Sequence, residues 1–247
     1  MTVYLLLFAA ALWAGIQNTL AGGGTFLTLP ALMLTGMNAL QANITSTIAL
    51  FPGQITSAWG GRKHVSGVGA LSFKALVIIS LAGGVLGAIL LLVTPSRIFA
   101  GLVPWLVLFA TAIFAWGSFG PKRKAPGHAL NHTSAAAAQF LIAVYGGYFG
   151  GGIGFLMLAA LTAAGLAIRN ASATKNVLAG VMNASAVLIF VFSPQVQWLQ
   201  VGIAAVGAAI GGLIGAHMIT RVNEKVLRLA AVGIGIALTV GLFLRAP

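Results

Sequence analysis

The sequence contains no cysteine, and Glu224 is the single acidic residue among its 247 residues. Without thiols the chain can form no disulfide and no thiolate metal site. With one carboxylate and four histidines it also has few groups for general acid–base catalysis or metal coordination. We therefore expect no enzyme activity, no catalytic residues, no metal site and no cofactor. A membrane-embedded enzyme or cofactor-assembly factor is the least favoured class of function.

Charged residues of either sign are scarce. Only 6% of the chain is charged, against roughly 25% in ordinary soluble domains, while 60% is hydrophobic and the mean hydropathy is +1.05. The 13 basic residues lie mostly in short loops between apolar stretches, which marks membrane topology and not a nucleic-acid partner. These features predict an all-α, polytopic protein surrounded by lipid bilayer. The first apolar run, Val3–Ala14, follows no basic segment, so we expect a membrane segment there and not a cleaved signal peptide.

Ten apolar stretches can be separated at glycine, proline and charged clusters. Most are long enough to cross a bilayer, which needs about 20 helical residues. The second and the seventh are too short, and each follows a glycine triplet, so each is predicted to form a broken or re-entrant helix pair with the stretch before it. The stretches are at 3–20, 24–36, 42–60, 68–93, 98–118, 134–149, 153–167, 172–192, 197–219 and 225–244.

The two halves of the chain resemble each other. At an offset of 129 residues, eight positions between 20 and 36 are identical to their counterparts in the second half, including both glycine breaks. A duplication is therefore predicted, with a first repeat at 1–118, a cytoplasmic linker at 119–133 and a second repeat at 134–247. Later matches, at an offset of 128, pair Gly83, Gly84, Gly87 and Ala88 with Gly211, Gly212, Gly215 and Ala216.

The distribution of basic residues indicates that the two repeats are inverted. Basic residues concentrate on the cytoplasmic side of membrane proteins. With inverted repeats, ten of them lie inside and only Arg97 and Arg245 outside, and both termini are outside. Each repeat then has its broken pair followed by three spanning helices, an architecture of secondary transporters, whose sites lie where the repeats meet. The ten are Arg62, Lys63, Lys74, Lys122, Arg123, Lys124, Arg169, Arg221, Lys225 and Arg228.

One basic residue, Lys175, lies within the predicted membrane region, where a charge is expensive and indicates function. It lies near the start of the eighth stretch, next to Asn176. The offset of 129 pairs these two residues with Ser46 and Thr47, so we expect the two halves to present them opposite each other. All four side chains can donate hydrogen bonds, and no carboxylate lies in the spans. The site therefore suits an anion.

The glycine breaks extend this candidate site. A helix that restarts inside the membrane directs unpaired N–H groups and a positive dipole end at the region before it. We expect Gly23 and Gly24 in the first half, and Gly151 and Gly152 in the second, to provide such ends. Two amides just before the first triplet would complete the shell, namely Gln17 and Asn18.

Each of these features also has an alternative interpretation. Lys175 is six residues from Arg169 and can snorkel to the cytoplasmic headgroups. Glycine triplets also allow membrane helices to pack closely. The hydroxyls at 45–47 can bond to the backbone of their own helix. His64, in a basic loop, is expected to be solvated, and His217, near a helix end, to be structural.

Four blocks of the sequence resemble the signature blocks of the TauE/SafE sulfite exporter family. They are Ala21–Leu32, Ala42–Thr47, Tyr145–Gly154 and Thr174–Asn176, and the similarity extends from about Gly15 to Phe243. The resemblance implies a transporter of the bacterial cytoplasmic membrane that moves sulfite, thiosulfate or small organosulfonates, usually outward.

Together these observations predict a permease that works by alternating access of two inverted bundles. Lys175 supplies the charge, and the hydrogen bonds come from Asn43, Thr45, Ser46, Thr47 and Asn176. An anion leaving a negative interior gains about 2.3 kcal/mol per charge per 100 mV, so export needs no coupling ion. Proton coupling through histidine is the second choice for the driving force. An anion channel built from the same donors is the main alternative.

Overall fold

The computed structural model describes residues 1–20, 23–69, 71–119, 132–218 and 224–245. These residues form ten α-helices and one short 3-10 turn, and apart from an isolated bridge between Val68 and Leu71 they contain no β-structure. The predicted all-α fold is confirmed. The helices are α1 (Thr2–Leu20), α2 (Thr25–Met33), α3 (Ala39–Gly61), α4 (Phe73–Val93), α5 (Ser96–Phe119), α6 (His132–Tyr148), α7 (Ile153–Ala163), α8 (Ile168–Phe190), α9 (Trp198–Met218) and α10 (Glu224–Arg245).

Five helices in the described part of the chain, those numbered α1, α4, α5, α8 and α9, are long and apolar enough to cross a membrane. The chain is a multi-pass membrane protein. As predicted, α2 and α7 are too short to span, with nine and 11 residues. Part of the predicted linker, 120–131, and residues 219–223 lie outside the described residues, as does Gly22 of the first triplet.

Helices α2 and α7 are bounded by glycines whose backbone only glycine adopts readily. Gly23 and Gly152, before the two helices, have φ of +83° and +74°, and Gly36 and Gly165, after them, have φ of +95° and +98°. The members of each pair are separated by 129 residues, the offset of the predicted repeat. Helix α3 instead starts with a polar cap, a reciprocal capping box formed by Asn38 and Gln41.

The two halves pack together through glycine-lined faces. A Cβ atom on Gly211 of α9 would collide with the carbonyl oxygen of Leu12 in α1, and one on Gly87 of α4 would collide with that of Val144 in α6. Glycine allows these backbones to approach closely, which is how helices associate where lipid removes the hydrophobic driving force. Among the residues that match at an offset of 128, Gly83 and Gly87 face α6, and Gly211 and Gly215 face α1.

The helix contacts themselves come in matched sets. Helix α1 packs on α9 as α6 packs on α4, and α3 packs on α9 as α8 packs on α4. The remaining contacts between the halves include α3 with α8 and α5 with α10. In each of these two pairs, a helix of the first half contacts the helix at the equivalent position of the second half. Helices α3 and α8 therefore meet at the centre, with the short helices α2 and α7 beside them.

Candidate functional site

A cavity of about 520 Å³, including its open mouth, lies where both helix breaks meet α3 and α8. The first half contributes Asn18, Gly23, Thr25 and Gln54. The second half contributes Gly150, Gly152, Ile153, Gly154, Lys175, Asn176 and Ala179.

The second helix break forms one wall of this cavity. Helix α6 ends at Tyr148, and α7 restarts at Ile153 after two glycines with positive φ, Gly150 and Gly152. The Tyr145 hydroxyl donates to the carbonyl oxygen of Gly151 at 2.9 Å and so fixes the break. The first N–H groups of α7 have no partner within their own helix, and the residues that carry them line the cavity. The positive end of the α7 dipole therefore faces the cavity.

Gly151 does not line the cavity. The place where its Cβ would stand is filled by the rings of Phe149 and Phe26. At the first break, too, one predicted glycine lines the cavity and the other does not. Gly23 lines the cavity, but Gly24 packs against α1, since a Cβ on it would stand 2.8 Å from the carbonyl oxygen of Ala14.

Lys175 is half-buried, and its ammonium has no hydrogen bond or ion pair with any described residue. The Nζ atom lies 3.6 Å from the position that a Cβ on Gly154 would occupy, at the start of α7. Asn176 and Asn18 line the same cavity and are also half-buried. The structure thus brings together the predicted cation, two predicted amides and one predicted glycine of each break, Gly23 and Gly152. Gln17 is buried behind Gly23, with its Nε2 3.5 Å from the Cβ position of that glycine.

The polar residues predicted from the first half of α3 lie outside the cavity lining. Ser46 is fully buried and hydrogen-bonds to the hydroxyl of Thr28 at 2.5 Å. Thr47 donates to the carbonyl oxygen of Asn43 in its own helix at 2.9 Å.

Asn43 and Thr45 hold other elements in place. The Asn43 Nδ2 donates to the carbonyl oxygen of Tyr148, at the end of α6, at 3.1 Å. The Thr45 hydroxyl accepts the N–H of Gln197 at 3.4 Å. Asn43, Thr45 and Ser46 thus tie α3 to other parts of the chain, Thr47 bonds within α3, and the cavity is lined by other side chains.

Gln54 is a cavity residue that the sequence analysis did not select. Its Oε1 accepts a hydrogen bond from Nδ2 of Asn183 at 2.7 Å, which joins α3 to α8. The two residues are separated by 129 positions, the offset of the repeat. The sequence therefore contained a signal for this pair, because two polar residues stand at matched positions within apolar spans.

The groups that line the cavity can donate hydrogen bonds. They are an ammonium, three carboxamides and the start of α7, and none of the described lining residues carries a carboxylate. Within the described ranges no group of three histidine, aspartate or glutamate side chains is placed to hold a metal ion. This arrangement can bind an anion by charge and by directional hydrogen bonds.

Comparison with known proteins gives a family match over nearly the whole chain. Residues 7–242 match the family described as "Sulfite exporter TauE/SafE". The chain is similar to the "Probable membrane transporter protein ORF9" of Sinorhizobium sp, with 31% identity over 96% of this chain and 90% of that protein.

Two further relatives have similar names. The "Probable membrane transporter protein YfcA" of Escherichia coli (strain K12) is 28% identical over 90% of this chain and 82% of its own length. A "Probable membrane transporter protein" of Haemophilus influenzae is 28% identical over 90% of this chain and 88% of its own length. No solved structure gives a significant match.

Proposed function

This chain belongs to the sulfite exporter TauE/SafE family, and we propose that it transports small sulfur-containing anions such as sulfite, thiosulfate or organosulfonates out of the cell. The family and the names of the relatives support a membrane transporter. We place it in the bacterial cytoplasmic membrane with both termini outside, because ten basic residues then lie on the cytoplasmic side.

The observation that carries the proposal is the ammonium of Lys175, which has no partner among the described residues and lies in a cavity whose described lining carries no carboxylate. An ammonium inside a membrane protein is costly unless an opposite charge compensates it. The described residues provide no such partner, so a substrate anion is the group that completes the site. The amides of Asn176 and Asn18, with the N–H groups at the start of α7, then bind the oxygen atoms that Lys175 leaves free.

For the mechanism we propose alternating access of two inverted repeats about this cavity. The support is geometric. The contacts between helices come in matched sets, the glycines that bound α2 and α7 have positive φ at matched positions, and Gln54 bonds to its own counterpart, Asn183. A residue can touch its counterpart only close to the axis that relates the two halves. Secondary transporters with inverted repeats bind their substrates at such an axis.

The membrane potential is the proposed driving force. An anion leaving a negative interior gains about 2.3 kcal/mol per charge per 100 mV. None of the described residues that line the cavity has a carboxylate that could carry a coupled proton. Export of an anion therefore needs no second ion.

The test is binding followed by flux. Purified protein is titrated with sulfite, thiosulfate, sulfoacetate, taurine and sulfate, and uptake and counterflow of the best ligand are measured in proteoliposomes. We expect selective binding of a sulfur oxyanion or sulfonate, saturable flux and counterflow. Flux that rises linearly with concentration and shows no counterflow would favour an anion channel. Absence of binding by every anion in the panel would contradict the proposed function.

A further inference from the structure

We propose that Gln54 is a substrate contact, and that Asn183 is the positioning residue that turns the Gln54 carboxamide so that it donates to the anion. This inference rests on the proposed function and deepens it, because it assigns a second recognition element to the same cavity. Gln54 lies on α3 of the first half, whereas Lys175 and Asn176 lie on α8 of the second half.

The orientation of the Gln54 side chain follows from its hydrogen bond to Asn183. Its oxygen is occupied by Nδ2 of Asn183 at 2.7 Å. A carboxamide has one oxygen and one NH₂ group, so the group left to face the cavity is the NH₂, which only donates. The site therefore receives a neutral donor from α3 and the ammonium of Lys175 from α8.

Asn183 is suited to position another residue and not to bind substrate itself. It is 2% exposed and does not line the cavity. Its Oδ1 is buried and has no hydrogen-bond partner among the described residues. A pair retained only for stability would leave this acceptor uncompensated, which has a free-energy cost. A role of the pair in directing the Gln54 amide at a ligand accounts for why this cost is tolerated.

The central location of the Gln54–Asn183 pair affects which anions the site selects. Gln54 and Asn183 lie on the two helices that meet at the centre, and they are counterparts in the repeat. A donor at this central contact stays beside the substrate when the halves move relative to each other. It requires an acceptor on the ligand, so oxyanions are favoured over anions of equal charge that accept hydrogen bonds weakly.

The test is titration of the purified full-length protein with sulfite and thiosulfate, and with iodide as a weakly accepting anion. Gln54→Leu removes the donors, and we expect affinity for the oxyanions to fall about 10-fold or more while iodide changes less. Asn183→Ala frees the carboxamide to rotate, and we expect a smaller loss of the same selectivity. Gln54→Glu keeps an acceptor for Asn183 but presents an oxygen to the site, so oxyanion binding should be abolished.

Gln139→Leu is the matched control. Gln139 is also a buried glutamine in an interhelical hydrogen bond, from its Nε2 to Ser80 at 2.8 Å, but it lies between α4 and α6, outside this cavity. Its replacement should lower thermal stability without changing the ratio of oxyanion to iodide affinity. If wild type binds and both Gln54→Leu and Gln54→Glu stay within a factor of two of it, Gln54 is not a contact and the proposed function stands. If wild type binds none of the panel, the proposed function and this inference both fail.

Discussion

At the scale of single residues, Lys175 determines whether the cavity is an anion site. Its replacement by alanine removes a charge-assisted hydrogen bond, which is worth about 1.5–3 kcal/mol, so we expect affinity for the best anion to fall roughly 10- to 150-fold. Thermal stability should not fall, because an uncompensated ammonium destabilises the empty protein. Lys175→Arg should keep part of the binding, since the charge remains but the group is larger and planar.

The same titration separates binding from snorkelling. A lysine whose head lies among lipid headgroups predicts unchanged affinity for Lys175→Ala. Lys63, in the exposed 3-10 turn after α3, gives a control for the loss of one positive charge outside the cavity. Lys63→Ala should bind as wild type does. Affinity of Lys175→Ala within a factor of two of wild type would remove Lys175 from the site.

The residues that the sequence predicted and that line the cavity are those that their chemistry alone identifies. Lys175 could be selected because a charge in an apolar span is rare, and the glycine breaks because they interrupt otherwise apolar stretches. Side chains whose role depends on the rotation of their helix could not be placed. Ser46 corresponds to Lys175 in the predicted repeat. Its hydroxyl hydrogen-bonds to Thr28, however, whereas Lys175 lines the cavity. Gln54 was missed because its partner Asn183 lies on another helix.

At the scale of elements, the glycine-lined interfaces make a prediction about stability. A methyl group on Gly211 of α9 would collide with the backbone of α1, and overpacking of this kind typically costs about 1–3 kcal/mol. Gly202, in the same helix, has nothing within 4 Å of the corresponding position. We expect Gly211→Ala to lower the thermal unfolding temperature in detergent, and Gly202→Ala to leave it unchanged or raise it, because alanine favours helix. Equal effects of the two substitutions would contradict the packing.

Two threonines at matched positions tie the connections between helices to the opposite half. Thr174 of α8 accepts the N–H of Ser66, in the connection from α3 to α4, at 3.1 Å. Thr45 of α3 accepts the N–H of Gln197, in the connection from α8 to α9, at 3.4 Å. Both threonines are fully buried, and they are separated by the repeat offset. The proposed topology puts the first connection inside and the second outside.

These bonds should therefore control access from opposite sides. In a chain with one cysteine introduced at Ala179, which lines the cavity, we expect Thr174→Val to increase labelling by an impermeant thiol reagent from the cytoplasm. Thr45→Val should increase labelling from outside. Thr239→Val is the control, since that buried hydroxyl bonds only within its own helix, to Gly235. The same change in labelling for both variants would contradict opposite gates.

The sequence predicted elements better than it predicted their contacts. The short helices α2 and α7 were predicted from length and glycine alone, because a stretch of that size cannot span a bilayer. The closeness of α1 to α9 and of α4 to α6 could not be derived, since glycine at a matched position indicates close packing without naming the partner helix. That choice depends on how the two halves fit together.

At the scale of the whole molecule, inversion of the repeats can be tested with one matched pair of sites. Leu34 follows the last residue of α2 and Ala163 is the last residue of α7; both are exposed, and they are separated by the offset of the predicted repeat. Single cysteines at these positions, in a chain that has none of its own, should be labelled by an impermeant reagent from outside at 34 and from the cytoplasm at 163. Labelling of both from the same side would establish parallel repeats and end the proposed mechanism.

The driving force is also a property of the whole molecule, because it depends on whether any group of the protein can carry a coupled proton. A single negative charge that crosses about 60 mV changes its free energy by about 1.4 kcal/mol, which corresponds to a tenfold concentration ratio. In proteoliposomes with an imposed potassium diffusion potential and no proton or sodium gradient, a monovalent anion should therefore accumulate about tenfold at that voltage. Reversing the potential should reverse the direction of flux. Lys175→Ala is the control for leak, since its loss of affinity should slow flux at low anion concentration. Strict dependence of flux on a proton gradient would replace the uniporter with a proton-coupled permease and direct attention to His64 and His217.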